Sequence, residues 1–323
     1  MQVSILGPGA VGTLLGALFS LRGHQVRLRG RRAPARAGAA VRVVLPGGWH
    51  RTDAVIQEGP EAEAGSADAL LVTLGRHHLH ALRRPDFARY AGAGDFPIGL
   101  FNCDPAEAER LAITTERLRL CLTLMTAVKL QDGDVELVTA KPMIVYEEDP
   151  ALERLFRDLS PFGFQSLAVP DARPALNSLM VMQLLYLPVA MCNTTLDIFL
   201  SYPEGRELAA GILGEGCAAM EKAGMPMAAL PVMDPRELVT RLEKKPGSLD
   251  RDTGQPDRGY NTILQAYLKG RPTEAAQLNR RMVEIASGAG LHLTWNWRIL
   301  QKVSRVSGLG FYRTPSDLLR SLV

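Results

Sequence analysis

Val3-Ser4-Ile5-Leu6-Gly7-Pro8-Gly9-Ala10-Val11-Gly12 joins a short apolar run to three glycines spaced G-x-G-x-x-G. Val3 to Leu6 reads as a buried strand. Ala10 to Leu21 has helix-forming residues with apolar positions at helical spacing. Arg22-Gly23-His24 ends that helix, and Gln25 to Arg29 reads as a second strand. Strand, glycine turn, helix and strand is the context in which the motif carries information. Gly7 allows the tight turn out of the strand. Gly9 lets the backbone approach a pyrophosphate with no Cβ in the way, and Gly12 lets the helix pack close. The pyrophosphate would sit on the unpaired N–H groups of the helix N-terminus. Gly7, Gly9, Ala10, Val11 and Gly12 are therefore the first candidate cofactor residues.

The end of the second strand selects the dinucleotide. An Asp or Glu there would hold a ribose 2′-OH, as in NAD enzymes. The chain instead reads Arg27-Leu28-Arg29-Gly30-Arg31-Arg32, with no acid. Basic residues suit a 2′-phosphate, so the expected cofactor is NADP(H), with Arg31 its first partner and Arg32 next. Arg36 reads as part of a solvated basic loop.

Outward from this nucleus, Val41 to Leu45, a Pro46-Gly47-Gly48 turn, and Thr52 to Ile56 predict a hairpin decorating a Rossmann sheet. Ala69 to Leu74 predicts a buried strand, followed by Pro97 to Phe101, Leu118 to Leu124, and Pro142 to Tyr146. Asp132-Gly133 reads as a turn between the last two. Asp149 to Ser160 reads as helix and Gln165 to Val169 as strand. After Pro170 the character changes. Ala175–Leu200, Pro203–Ala223, Asp234–Glu243, Thr273–Ala289 and Trp295–Val306 all read as helices, and Lys245 to Tyr260 as an exposed loop. The expected class is α/β: a Rossmann NADP-binding domain over 1–170 and an all-α substrate or dimerisation domain over 171–323.

Composition excludes several classes. The chain has 323 residues, enough for about two domains at roughly 100–200 residues each. Apolar residues make up 46% and charged residues 22%, which excludes long disorder and collagen-like sequence. A net charge of +3 and 6% aromatics, not interleaved with the basic cluster, give no footprint for nucleic acid. The most apolar run, Leu179 to Cys192, contains Gln183 and Pro188 and is shorter than the ~20 residues of a membrane span. The N-terminus lacks the basic region and cleavage site of a signal peptide. Cys103, Cys121, Cys192 and Cys217 lie far apart with no CxxC pair, which fits a reduced, cytoplasmic setting. His77, His78 and His80 have no nearby acid or cysteine to complete a metal site.

The sequence resembles the ketopantoate reductase family. The resemblance rests on Gly-Pro-Gly-Ala-Val-Gly at residues 7–12, Gly30-Arg31-Arg32, Leu100-Phe101-Asn102, and the run Leu264 to Glu274. Gly270-Arg271-Pro272-Thr273-Glu274, similar to the family's G-R-x-T-E, is the most specific piece. The resemblance implies an N-terminal Rossmann domain, a helical C-terminal domain and reduction of a small 2-oxo acid by NADPH. It also implies that Leu74, Gly75 and Asn102 touch the cofactor and that Gln183, Thr262 and Glu274 touch the substrate.

Three departures fall where chemistry would be done. Where the family has V-T-x-K, the chain reads Val72-Thr73-Leu74-Gly75 with Arg76 next. The family's Asn-Gly becomes Asn102-Cys103. The family's K-L-x-x-N-x-x-x-N best matches Leu179-Met180, Gln183 and Leu187, and no lysine occurs between Lys141 and Lys222. Leu179 cannot give a proton to a developing alkoxide. Catalysis would then fall to Glu274, with Asn102 beside it. The expected activity is NADPH-dependent reduction of a small oxo or imine substrate other than ketopantoate. The alternative is an NADP(H)-binding sensor or scaffold without catalysis. The apolar second domain is compatible with a homodimer.

Overall fold

The computed structural model describes residues 1–30, 41–52, 55–58, 67–75, 78–79, 82, 84–92, 94–103, 107, 116–130, 134–229, 234–244, 275–305, 312 and 314–323. The chain divides into two compact units, Met1–Ala172 and Arg173–Val323.

The first unit begins with β1 (Gln2–Leu6), α1 (Ala10–Leu21) and β2 (Gln25–Arg29). Next come β3 (Val41–Leu45), β4 (Gly48–Thr52), β5 (Val55–Glu58), β6 (Ala69–Val72), α2 (Arg84–Ala91) and β7 (Ile98–Phe101). The unit ends with β8 (Leu118–Leu124), β9 (Ala127–Lys129), β10 (Val135–Leu137), β11 (Met143–Glu147), α3 (Pro150–Arg157) and β12 (Gln165–Val169). Eight strands form one sheet in the order β12-β11-β8-β7-β6-β1-β2-β5. From β5 to β8 every neighbouring pair is parallel. That stretch is the 3-2-1-4-5-6 order of a Rossmann sheet, with β1 central and the order reversing between β1 and β6. β11 joins antiparallel to β8 and carries β12 beside it.

Both faces of this sheet are covered, so its central strands are continuous apolar runs. On one face Leu14, Leu15, Leu18 and Phe19 of α1 share a core with Val3, Ile5, Val26 and Leu28. On the other, Phe87 and Tyr90 of α2 pack with Leu70, Val72, Ile98 and Leu100. A second sheet, ordered β4-β3-β10-β9, closes over α1 and buries Val41, Val43, Val135 and Leu137 in the α1 core. This corrects the expected hairpin. Its second strand is Gly48–Thr52, with Gly48 at φ +138° closing the turn, and it belongs to the smaller sheet. Residues 52–56 instead span the end of β4 and the start of β5, which pairs with β2.

The second unit is helical: α4 (Arg173–Gln183), α5 (Tyr186–Met191), α6 (Leu196–Ser201), α7 (Pro203–Lys222), α8 (Pro235–Lys244), α9 (Ala275–Gly288), α10 (Thr294–Arg305) and α11 (Pro315–Leu322). The single helix expected over 175–200 is three. Pro188 has no N–H to offer the carbonyl of Leu184. The N–H groups of Leu184 and Leu185 turn back to Val181 and Met182 in tightened turns. Asn193, at φ +47°, ends α5, and the Thr195 hydroxyl caps α6. α7 runs through the core, lined by Leu208, Ala209, Ile212, Leu213 and Met220. The stretch 173–191 has the length and apolarity of a membrane span, but 72% of its most apolar window is buried inside the protein. The expected loop at 245–260 lies outside the described residues.

Candidate active site

The carboxyl ends of β1, β6 and β7 meet at the point where strand order reverses, the place where open α/β sheets bind ligands. Gly7 leaves β1 at φ +120°, a conformation closed to other residues without strain. Its N–H donates to the Arg29 carbonyl at 2.9 Å, tying the loop to the end of β2. The Thr73 hydroxyl donates to the Gly7 carbonyl at 3.0 Å from the end of β6. Gly12 faces the same two groups: a Cβ there would lie 2.1 Å from the Gly7 carbonyl oxygen and 2.5 Å from Thr73 Oγ1.

Gly9 is the N-cap of α1, and no side chain caps the helix. No acidic residue lies in the first turn. A Cβ on Gly9 would meet nothing within 4 Å. The first N–H groups of α1 have no side-chain cap, and they carry the positive end of the helix dipole. A pyrophosphate fits this end both electrostatically and sterically.

Of the other sequence candidates, Leu74, Gly75 and Asn102 fall on the same edge, Gln183 lies in the helical unit, and the rest lie outside the described residues. Leu74 and Gly75 follow Thr73 just past the end of β6, and the Gly75 carbonyl accepts from the N–H groups of His78 and Leu79 at 2.9 Å each. Asn102 ends β7 in the left-handed conformation, at φ +51°. Its amide pairs reciprocally with Thr123 on β8. Among the described residues, that pairing leaves one amide N–H and one carbonyl lone pair of Asn102 uncommitted. Arg31, Arg32, Arg76, His77, His80, Thr262 and Glu274 lie outside the described residues. Gln183, half-buried, ends α4 in the helical unit. On that helix Leu179 is buried; Met180 of α4 and Leu187 of α5 belong to the helical core.

Thr73, Thr123 and Lys129 were not singled out by sequence. The Lys129 ammonium donates to the Pro8 carbonyl at 3.0 Å, bringing β9 of the smaller sheet to the glycine loop. Lys129 is exposed, and desolvation by its surroundings lowers its pKa from the ordinary lysine value. Burial, followed by the charges of Glu147 and Asp149, pushes the Cys121 pKa well above the usual thiol range. Among the described residues, no three His, Cys, Asp or Glu side chains are grouped to hold a metal ion.

Two family models match, the ketopantoate reductase PanE/ApbA domain over residues 3–147 and its C-terminal domain over 176–307. The chain belongs to the ketopantoate reductase PanE/ApbA family. Membership makes it an oxidoreductase-family protein built for a nicotinamide dinucleotide. A PanE/ApbA family ketopantoate reductase from Ralstonia eutropha JMP134 shares the fold at TM-score 0.75 and 17% identity, over 95% of this chain and 98% of that one. A dimeric ketopantoate reductase from Staphylococcus aureus matches at TM-score 0.70 and 17% identity, over 94% and 98%. D-mandelate dehydrogenase, solved with NADH and anilino(oxo)acetate, matches at TM-score 0.73 and 15% identity, over 99% and 100%. No curated protein sequence matched the chain.

Proposed function

We propose that the protein is an NADPH-dependent reductase of a small oxo or imine compound other than ketopantoate. The observation that carries this reading is the uncapped N-terminus of α1, with open space at Gly9 and glycines packed without room at Gly7 and Gly12. Gly7, Gly9, Ala10, Val11 and Gly12 would hold the pyrophosphate. Leu74, Gly75 and Asn102 would border the rest of the dinucleotide along the sheet edge. Arg31, the residue after Gly30 at the end of β2, would pair with the 2′-phosphate, which is why NADPH is preferred over NADH.

When bound, the reduced nicotinamide supplies a hydride. The chain must then supply a proton to the new alkoxide, or accept a substrate that already carries one. Leu179 stands where the family's lysine would be and has no proton to give. Glu274 is assigned the proton, with Gln183 and Thr262 as polar substrate contacts. An imine relaxes the demand, since its protonated nitrogen brings the proton with it. The related fold of D-mandelate dehydrogenase with anilino(oxo)acetate supports a substrate with an oxo group beside a carboxyl-type carbon. The dimeric Staphylococcus aureus relative supports a homodimer.

NADPH oxidation, followed across a panel of 2-oxo acids, ketones and cyclic imines with ketopantoate included, tests the proposal. Turnover of a panel member with ketopantoate at least about 100-fold slower is the expected result, the lower end of what a positioned acid contributes. Ketopantoate as the best substrate would overturn the substrate assignment. Tight NADPH binding with no turnover anywhere would favour the sensor.

A further inference from the structure

Lys129 lies at the end of β9, in the sheet that covers α1 rather than in the Rossmann sheet. Its register partner on β10 is Val135, an apolar residue. Among the described residues of the β9–β10 turn, the acid Asp134 is already taken. Arg42 of β3 donates to it from Nε at 2.8 Å, and from its backbone N–H at 3.2 Å. Among the described residues, no carboxylate forms an ion pair with Lys129. Its hydrogen bond among the described residues is to the carbonyl of Pro8, at the centre of Gly7-Pro8-Gly9.

That contact places a cation on the lip of the glycine loop. A Cβ on Gly30 would lie 2.6 Å from Pro8 Cγ, so the same proline also packs against the end of β2. Lysine is a compact point charge on a flexible stem, suited to a phosphate that arrives beside a backbone cradle. We propose that Lys129 is a phosphate-binding residue of the dinucleotide site, its ammonium swinging from the Pro8 carbonyl onto the pyrophosphate held by α1. The inference rests on the glycine loop being a dinucleotide site.

The proposal gives the smaller sheet a role in binding. It also offers a cation in a chain whose Leu74-Gly75 stretch lacks the lysine of V-T-x-K. Desolvation lowers the pKa of this largely exposed amine, and among the described residues no carboxylate pairs with it. A bound phosphate would supply a countercharge.

The test is fluorescence titration of NADPH and NADH into the full chain and into Lys129→Arg, Lys129→Gln and Lys129→Met, at low and high salt, with thermal unfolding of each variant alongside. Glutamine can still donate to the Pro8 carbonyl but carries no charge. The expected result is that Gln and Met each weaken both dinucleotides by about 10-fold or more, the range for a hydrogen bond to a charged group. Arg should retain most of the affinity, and the salt dependence of binding should become shallower without the charge. Wild-type affinity in Lys129→Gln would overturn the proposal and leave Lys129 as a loop brace. Loss confined to NADPH would also overturn it, by moving the contact to the 2′-phosphate. If the unaltered chain binds neither dinucleotide, the glycine-loop reading itself fails, and this proposal with it.

Discussion

The carboxamide of Asn102 and the backbone and hydroxyl of Thr123 exchange two hydrogen bonds: Nδ2 donates to Thr123 Oγ1 at 3.0 Å, and Oδ1 accepts the Thr123 N–H at 2.9 Å. The pair fixes the end of β7 to β8 while Asn102 holds a left-handed backbone. A residue with only a methyl side chain would lose both bonds and pay the left-handed strain. Asn102→Ala should therefore cost about 2–5 kcal/mol, from about 0.5–1.5 per hydrogen bond for two bonds and about 1–2 for the backbone. Thr123→Val, losing one bond, should cost about 1 kcal/mol. Urea unfolding measures both, and equal effects would remove the backbone contribution from the account.

The glycine loop separates fold from binding. Gly9→Ala adds a methyl where nothing lies within 4 Å, on backbone at φ −74° that alanine adopts freely. It should leave the unfolding temperature nearly unchanged and weaken dinucleotide binding. Gly12→Ala drives a methyl into the Gly7 carbonyl and should lower both. Differential scanning fluorimetry with and without NADPH reads the two effects in one experiment. An unfolding temperature as low in Gly9→Ala as in Gly12→Ala would contradict it.

His24 links stability to pH. Its Nε2 lies 3.0 Å from Asp158 Oδ2, and its Nδ1 is buried with no hydrogen-bond partner among the described residues. Burial first, and the N-terminal amine next, lower its pKa from 6.5 despite the opposing charge of Asp158. The unfolded chain then takes up a proton near 6.5 and the folded chain only at lower pH. Stability from neutral His24 is therefore complete above that value and declines as pH falls through it. Unfolding midpoints between about pH 7.5 and about pH 5.5 should fall in the wild type and fall less in His24→Asn. Parallel curves would show that His24 is not the group responsible.

Glu274 carries the proton in the proposed reaction. Glu274→Gln keeps a hydrogen-bonding side chain and removes the ionisable group. With an active substrate in hand, it should cut kcat by about 100-fold or more, with the unfolding temperature little changed. Unchanged kcat and KM would make Glu274 structural and leave the proton donor to another group.

Much of this was legible in the sequence. Residues 10–21 and 25–29 fold as their spacing predicts, because a βαβ nucleus is built from local periodicity and a glycine turn. The change from strands to helices after residue 170 was equally plain in composition. The β9–β10 hairpin was not, since Ala127–Lys129 and Val135–Leu137 are three residues each, too short for alternation to register. Nor was the split of the long apolar helix at Leu184, which is set by the missing N–H of Pro188 rather than by any change in hydropathy. At the site, the glycines were readable because each answers a backbone demand. Thr73, Thr123 and Lys129 were not, because their partners lie 66, 21 and 121 positions away and only the folded sheet edge brings them together.

The central claim is that the glycine loop and the basic end of β2 make an NADPH site. Fluorescence titration of the unaltered chain with NADPH and NADH, repeated with Arg31→Ala, measures this most directly. The account predicts saturable binding of both, with NADPH tighter, and loss of about 1.5–3 kcal/mol of NADPH affinity alone in Arg31→Ala, the range for hydrogen bonds to charged groups. Equal affinity for the two dinucleotides, or no saturable binding of either, would contradict it.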